Sequence, residues 1–226
     1  MIDKRVRDVA AALDGIADGS TIMIGGFGAV GQPNVLIEAL IEQGARDLTI
    51  VANNAGTGRV GLAKLMEAGR VRKIVCSFPR SSGSVVFEDL FKSGRLELEI
   101  VPQGTLAERI RAAGAGIPAF FTATGYGTKL GEKKESREIG GRFYILEHAL
   151  PADVALIEAW RADRWGNCVY RESGRNFNAV MATAAALTVV QTQHLAELGE
   201  LDPEAIVTQG IFVNRVVHVP YGDPQG

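Results

Sequence analysis

The chain has 226 residues, 46% of them hydrophobic and 22% charged, enough for one substantial core with at most a small subdomain. A formal charge of −2 and an isoelectric point near 6.0 argue against a nucleic-acid partner, which calls for a basic excess. No apolar run approaches the ~20 residues of a membrane span, and Met1-Ile2-Asp3-Lys4-Arg5 opens into mixed charge without an apolar signal segment, so a cytoplasmic protein with no membrane partner is expected.

In chain order, Thr21–Ile24 reads as a buried strand and residues 35–41 as a helix with Pro33 at its first position. Leu48–Val51 is a strand, Gly61–Glu67 a helix, Val71–Cys76 a strand and Val85–Lys92 a helix. Residues 96–101 are extended and 106–113 helical. Strands alternating with helices at this interval predict an α/β fold, an open and mostly parallel sheet with helices on both faces. From Gly114 the text becomes loop-forming, with Gly125, Gly127, Gly131, Gly140 and Gly141, and a small irregular β excursion is expected at about 114–142 within one domain spanning 1–226. Strand-like text resumes at 143–146, 154–157 and 168–170, followed by a helix at 179–185 and strands at 187–191 and 211–217.

Cys76 and Cys168 lie 92 positions apart with no metal or redox spacing, so both read as buried free thiols in a reduced compartment. His148, His194 and His218 are scattered, and no metal site is expected.

The segment between the first strand and first helix carries Gly25, Gly26, Phe27, Gly28, Ala29, Val30 and Gly31, which satisfies G-x-G-x-x-G. A dinucleotide site would also want a carboxylate after the second strand to hold ribose hydroxyls, whereas that strand ends Ala52-Asn53-Asn54. One glycine suffices for a tight corner. Four between 25 and 31 suggest close backbone approach to a ligand, either a phosphate or a developing oxyanion. Asn53 and Asn54 follow the second strand and Gln103 the fourth, at the edge where open α/β sheets bind ligands. Uncharged amides there can hydrogen-bond a thioester carbonyl or its tetrahedral oxyanion; they can equally cap loops.

Gly25-Gly26-Phe27 with Gly31-x-Pro33, preceded by Asp18-Gly19-Ser20-Thr21, resembles the alpha-subunit motif of the family I 3-oxoacid CoA-transferases. The resemblance runs on through Asn53-Asn54-Ala55-Gly56, Pro102-Gln103-Gly104-Thr105, Thr124-Gly125-Tyr126-Gly127, Asp163-Arg164-Trp165-Gly166-Asn167 and Arg175-Asn176-Phe177-Asn178, covering nearly the whole chain. Ala52 departs from it, since several relatives carry serine there.

The resemblance implies a sheet architecture shared with sugar-phosphate isomerases and a ping-pong exchange of CoA between two carboxylic acids. A glutamate attacks an acyl-CoA to form an acyl-glutamyl anhydride, and the released CoA thiolate then forms an enzyme-bound thioester. CoA is thus substrate and covalent intermediate, with no permanently bound cofactor implied. In relatives that glutamate lies in a Ser-Glu-Asn-Gly motif of the beta half, whereas this chain offers only Arg171-Glu172-Ser173-Gly174. The implied partner is a beta subunit, in a heterodimer or heterotetramer, and the chain alone is expected to be inactive. Gln103, Asn53 and Asn54 would then support the thioester, and residues 25–31 would line the CoA or acyl pocket, with 175–178 in the site or the subunit interface.

Cys76-Ser77-Phe78-Pro79-Arg80 resembles the 3-oxoadipate enzymes of aromatic catabolism, with succinyl-CoA as the implied donor. Arg80 offers a bidentate partner to a second substrate carboxylate, or is a solvated surface arginine. Acetoacetate is the alternative acceptor. A sugar-phosphate-isomerase-like enzyme or a ligand-binding module on the same fold remains the other alternative; the isomerase would need an acid–base carboxylate or lysine in this chain, and no spacing marks one.

Overall fold

The computed structural model describes residues 2–80 and 83–220. Successive strand residues point to opposite faces, and this sequence places apolar groups on both. On β1 (Thr21–Ile24), Ile22 and Ile24 enter one core and Met23 the other. On β2 (Leu48–Val51), Leu48 and Ile50 part from Val51, and on β3 (Val71–Cys76), Ile74 and Cys76 part from Val75. A sheet apolar on both sides must be covered on both sides. The helices α1 (Val9–Ala12), α2 (Asn34–Gln43), α3 (Gly61–Glu67) and α4 (Val85–Lys92) cover one face. The other is covered by α5 (Gln103–Gly114) and α6 (Asn176–Met181).

The remaining main-sheet strands are β4 (Glu97–Ile100), β8 (Ala152–Asp163), β9 (Cys168–Val169), β10 (Ala185–Ala196) and β11 (Arg215–His218). The order is β11-β10-β8-β1-β2-β3-β4, with every neighbouring pair parallel and β9 antiparallel on β8. The chain leaves β1 towards β2 over one face and leaves β8 towards β10 through α6 on the other. A crevice at the carboxyl ends therefore opens between β1 and β8, the kind of switch point where such sheets bind ligands.

The second half departs from the sequence-based expectation in three places. Residues 143–146 do not return to the main sheet: β7 (Arg142–His148) is the central strand of a small antiparallel sheet with β5 (Ala119–Thr122) and β6 (Ser136–Ile139). The helix expected at 179–185 begins at Asn176, and Ala185 already opens β10. Residues 211–217 start in a 3-10 turn, Gly210–Phe212, and become a strand only at Arg215. Apolar runs of this length do not distinguish strand from short helix by periodicity alone.

Charged groups join the small sheet to the main one. From α5, Arg109 donates from Nε to the His148 carbonyl at 2.9 Å and from Nη1 to Glu99 at 2.9 Å, while Lys73 holds the other Glu99 oxygen at 2.6 Å. Burial pushes the Glu99 carboxyl up, but the hydrogen bonds from Lys73 and Arg109 outweigh it and hold the group below the usual carboxylate range. The buried Glu147 pairs with Lys134 on the small sheet's connecting loop.

Both cysteines are buried free thiols. Burial pushes the Cys76 thiol up to about 12, slightly offset by a hydrogen bond from the Phe78 backbone. Burial, then the nearby Asp163 charge, raises Cys168 further. An unfolded thiol ionises near pH 8.5, so the stabilisation from keeping Cys76 neutral is complete below that pH and declines as pH rises towards 12. A thiol-reactive chromogenic disulfide at pH 8 should modify neither cysteine rapidly in the native protein and both in denaturant. Fast native reaction would contradict the burial.

Candidate active site

Four strand ends converge on a cavity of about 430 Å³, lined by Phe27, Gly28, Asn53, Asn54, Thr57, Ser77, Phe78 and Gln103. It holds three hydrogen-bonding side chains singled out from the sequence, each fixed differently.

Asn53 is built into the β2–β3 edge: Ser77 and Phe78 N–H groups donate to its carbonyl at 3.2 and 3.1 Å, and Ser77 Oγ donates to its Oδ1 at 3.1 Å. These contacts use its oxygens, and its Nδ2 donates to no other described residue. Asn54 is spent on local structure. Its Oδ1 accepts the Gly56 N–H at 2.8 Å in an Asx turn, and its Nδ2 lies 3.5 Å from the Gly28 carbonyl. The loop-capping alternative therefore describes Asn54 better than Asn53. Gln103 is the first residue of α5, after Pro102, with an exposed side chain at the positive end of the helix.

Phe27 and Phe78, both more than half exposed, supply apolar walls. The described lining has amides and hydroxyls but no carboxylate, lysine, arginine or histidine. Such a surface can hydrogen-bond a carbonyl or an oxyanion and shield it from water. By itself it offers no strong nucleophile.

The glycine segment divides. Phe27 and Val30 exchange backbone hydrogen bonds at 3.0 and 3.2 Å, making a two-residue hairpin with Gly28 at φ 62°. Phe27 and Gly28 face the cavity, while Ala29 is exposed at the tip. Val30 and Gly31 face a second cavity of about 230 Å³, shared with Glu158, Trp160, Tyr170 and Gln193.

Gly25 and Gly26 are buried beneath, and the need for glycine there is internal. A Cβ on Gly25 would lie 1.8 Å from Asn178 Oδ1, and one on Gly31, at φ 67°, 2.9 Å from Asn178 Nδ2. The close approach expected of these glycines is thus to the chain's own Asn178, which the resemblance placed in the site or the subunit interface without a contact. Ser77 and Phe78 were equally absent from the expected site, although the strand-end rule that singled out Asn53 applies to them after β3.

Arg80 does not line the cavity. It is largely exposed, with Nε 3.3 Å from Glu88, whose carboxyl is held low by a hydrogen bond from Lys92 and by the Arg80 charge. No group of three His, Cys, Asp or Glu is arranged to hold a metal among the described residues. No helix there is long and apolar enough to cross a membrane.

The family profile described as coenzyme A transferase matches residues 6–219. The chain belongs to the coenzyme A transferase family. It is 61% identical, over 97% of its length and 95% of the relative's, to the A subunit of 3-oxoadipate CoA-transferase from Pseudomonas putida. It is 49% identical, over 95% of its length and 88% of the relative's, to the A subunit of succinyl-CoA:3-ketoacid coenzyme A transferase from Xanthomonas campestris pv. campestris strain B100. The crystal structure of an acyl-CoA transferase apoenzyme from Escherichia coli O157:H7 shares the fold, with TM-score 0.87 and 23% identity over 98% of this chain. The transferase chain described here spans 48% of that longer protein.

Replacing Gly25 by Ala separates the two reasons for a glycine in this transferase. The added methyl must displace the buried Asn178 amide, so unfolding stability should fall by about 2–4 kcal/mol and the thermal midpoint by several degrees. Lost activity with an unchanged midpoint would instead assign Gly25 to the ligand.

Proposed function

We propose that this chain forms one wall of the acyl site of a two-chain CoA-transferase that moves CoA from succinyl-CoA to 3-oxoadipate. The observation that carries this is the convergence of Asn53 and Gln103 with the Phe27–Gly28 turn on one cavity whose described lining has no ionisable group. In this account a glutamate of a second chain attacks the thioester carbonyl at the cavity mouth. The carbonyl oxygen takes the negative charge, and Asn53 Nδ2, the Gln103 amide and the loop N–H groups receive it. Collapse breaks the C–S bond and expels the CoA thiolate. The thiolate then attacks the glutamyl carbonyl of the anhydride, releasing succinate and leaving the glutamyl-CoA thioester. The incoming oxo acid reverses both steps.

Uncharged donors suit this chemistry. A nearby cation would pair with the attacking carboxylate and lower its nucleophilicity, whereas amides stabilise the developing oxyanion without fixing the ground-state charge. The support for a partner chain is that these two relatives are named as one subunit of their enzymes and that the described lining of the cavity offers no carboxylate.

The 3-oxoadipate assignment is supported by the 61% relative and by Arg80, whose exposed guanidinium could receive the second carboxylate. One observation favours acetoacetate instead: no cation lines the cavity, and a monocarboxylate needs none beyond the reacting centre.

The test is to assay this chain alone and reconstituted with its beta partner, using both acids. Activity should require both chains and favour 3-oxoadipate, and Arg80→Ala should lower kcat/KM for 3-oxoadipate by roughly 10-fold or more while sparing acetoacetate. Turnover by the single chain would refute the two-chain account; equal rates on the two acids would refute the substrate.

A further inference from the structure

β1 stops at Ile24, which pairs with Leu156, while β8 runs on to Asp163. Gly25 N–H still donates to the Leu156 carbonyl at 3.0 Å, and then the two chains part. The backbone groups stranded by that parting have to be satisfied. Two side chains from the start of α6 do so.

Asn178, fully buried, accepts the Glu158 N–H on Oδ1 at 3.0 Å and donates from Nδ2 to the Gly31 and Gly174 carbonyls at 2.8 and 2.9 Å. Asn176 accepts the Gly26 N–H on Oδ1 at 3.1 Å and donates from Nδ2 to the Val30 and Ser173 carbonyls at 3.0 and 2.7 Å. The two asparagines thus grip the hairpin at both feet: Gly26 on the way out, and Val30 and Gly31 on the way back. Between these feet stands the turn at 27–30, where neither the Gly28 nor the Ala29 N–H donates to a described group. Neither asparagine lines the cavity itself.

We infer that Asn176 and Asn178 are positioning residues, which hold the 27–30 turn so that its free N–H groups meet the oxyanion in the cavity. This inference rests on the acyl-site function proposed above. Both asparagines act through the loop and touch no substrate. An oxyanion donor works only when held in place before the charge develops, and a four-residue turn gripped at one foot would not be so held. Asn176 is the sharper probe, because it is partly exposed while Asn178 is fully buried, so its truncation opens no enclosed cavity, although the Gly26 N–H loses its acceptor.

The experiment uses the reconstituted two-chain enzyme with Asn176→Ala, Asn176→Asp and Gln103→Ala. Asn176→Ala should lower kcat by ~10-fold or more with KM within about twofold, the pattern of an interaction made in the transition state. Its thermal midpoint should fall by a few degrees at most, the cost of the Gly26 N–H left without its acceptor, while amide hydrogen exchange across 26–31 speeds up. Asn176→Asp keeps the acceptor for Gly26 but loses both donors, so its kcat and exchange should fall between Ala and wild type. Gln103→Ala should lower kcat by ~100-fold and leave exchange in 26–31 unchanged. Full activity in Asn176→Ala alone, or lost activity without faster exchange, would overturn the positioning role. Full activity in both alanine variants would overturn the acyl-site function itself, and the inference with it.

Discussion

The buried amide of Asn178 is the contact around which the carboxyl edge of the sheet is organised. Parallel strands satisfy each other's backbone only as far as they run side by side, and β1 ends while β8 continues for seven residues past Leu156. A primary amide is suited to such a parting because it can accept and donate at once, and each of its polar atoms meets a backbone group of a neighbouring segment. Aspartate could not donate there, and leucine could do neither. The glycines at 25 and 31 follow from the same contact, since side chains at those positions would occupy the space of the amide.

This places the chemistry of the loop in a different light from its motif. Four glycines within seven residues resemble an anion cradle, yet Gly25 and Gly31 are small because the protein packs against itself there. Only Gly28, with open space beside it and φ 62°, remains available to approach a ligand. In the proposed function, specificity and catalysis would therefore lie with what the loop carries to the cavity, chiefly the Phe27 ring and the turn N–H groups, and with the amides of Asn53 and Gln103 opposite.

Much of the fold was legible in the sequence, and the reasons are particular. β1 to β3 and α3 and α4 begin and end at the expected residues because Gly, Asp or polar clusters punctuate each apolar run. The alternation of strands with helices announced an open, mostly parallel sheet with helices on both faces. The second half was harder. The text at 143–146 has strand composition, but composition does not say which sheet a strand joins; that depends on Arg109 and Glu147, whose partners are distant in sequence. In the site, Asn53 and Gln103 could be found because strand ends are predictable. Asn176 and Asn178 could be assigned only to the site or the subunit interface, without their contacts, because their partners lie about 150 positions earlier. Arg80 was singled out for its charge, and its contact with Glu88 depends on how α4 packs.

Every group that grips the hairpin belongs to this chain, so the loop is ordered as the chain folds. Fixing the backbone of a residue costs about 1–2 kcal/mol of conformational entropy, and for the four residues of the turn that amounts to about 4–8 kcal/mol. That cost falls within the folding equilibrium, where two hydrophobic cores offset it, and is absent when an acyl-CoA arrives. A ligand entering the cavity meets a surface already in place, and its binding energy remains for the transition state.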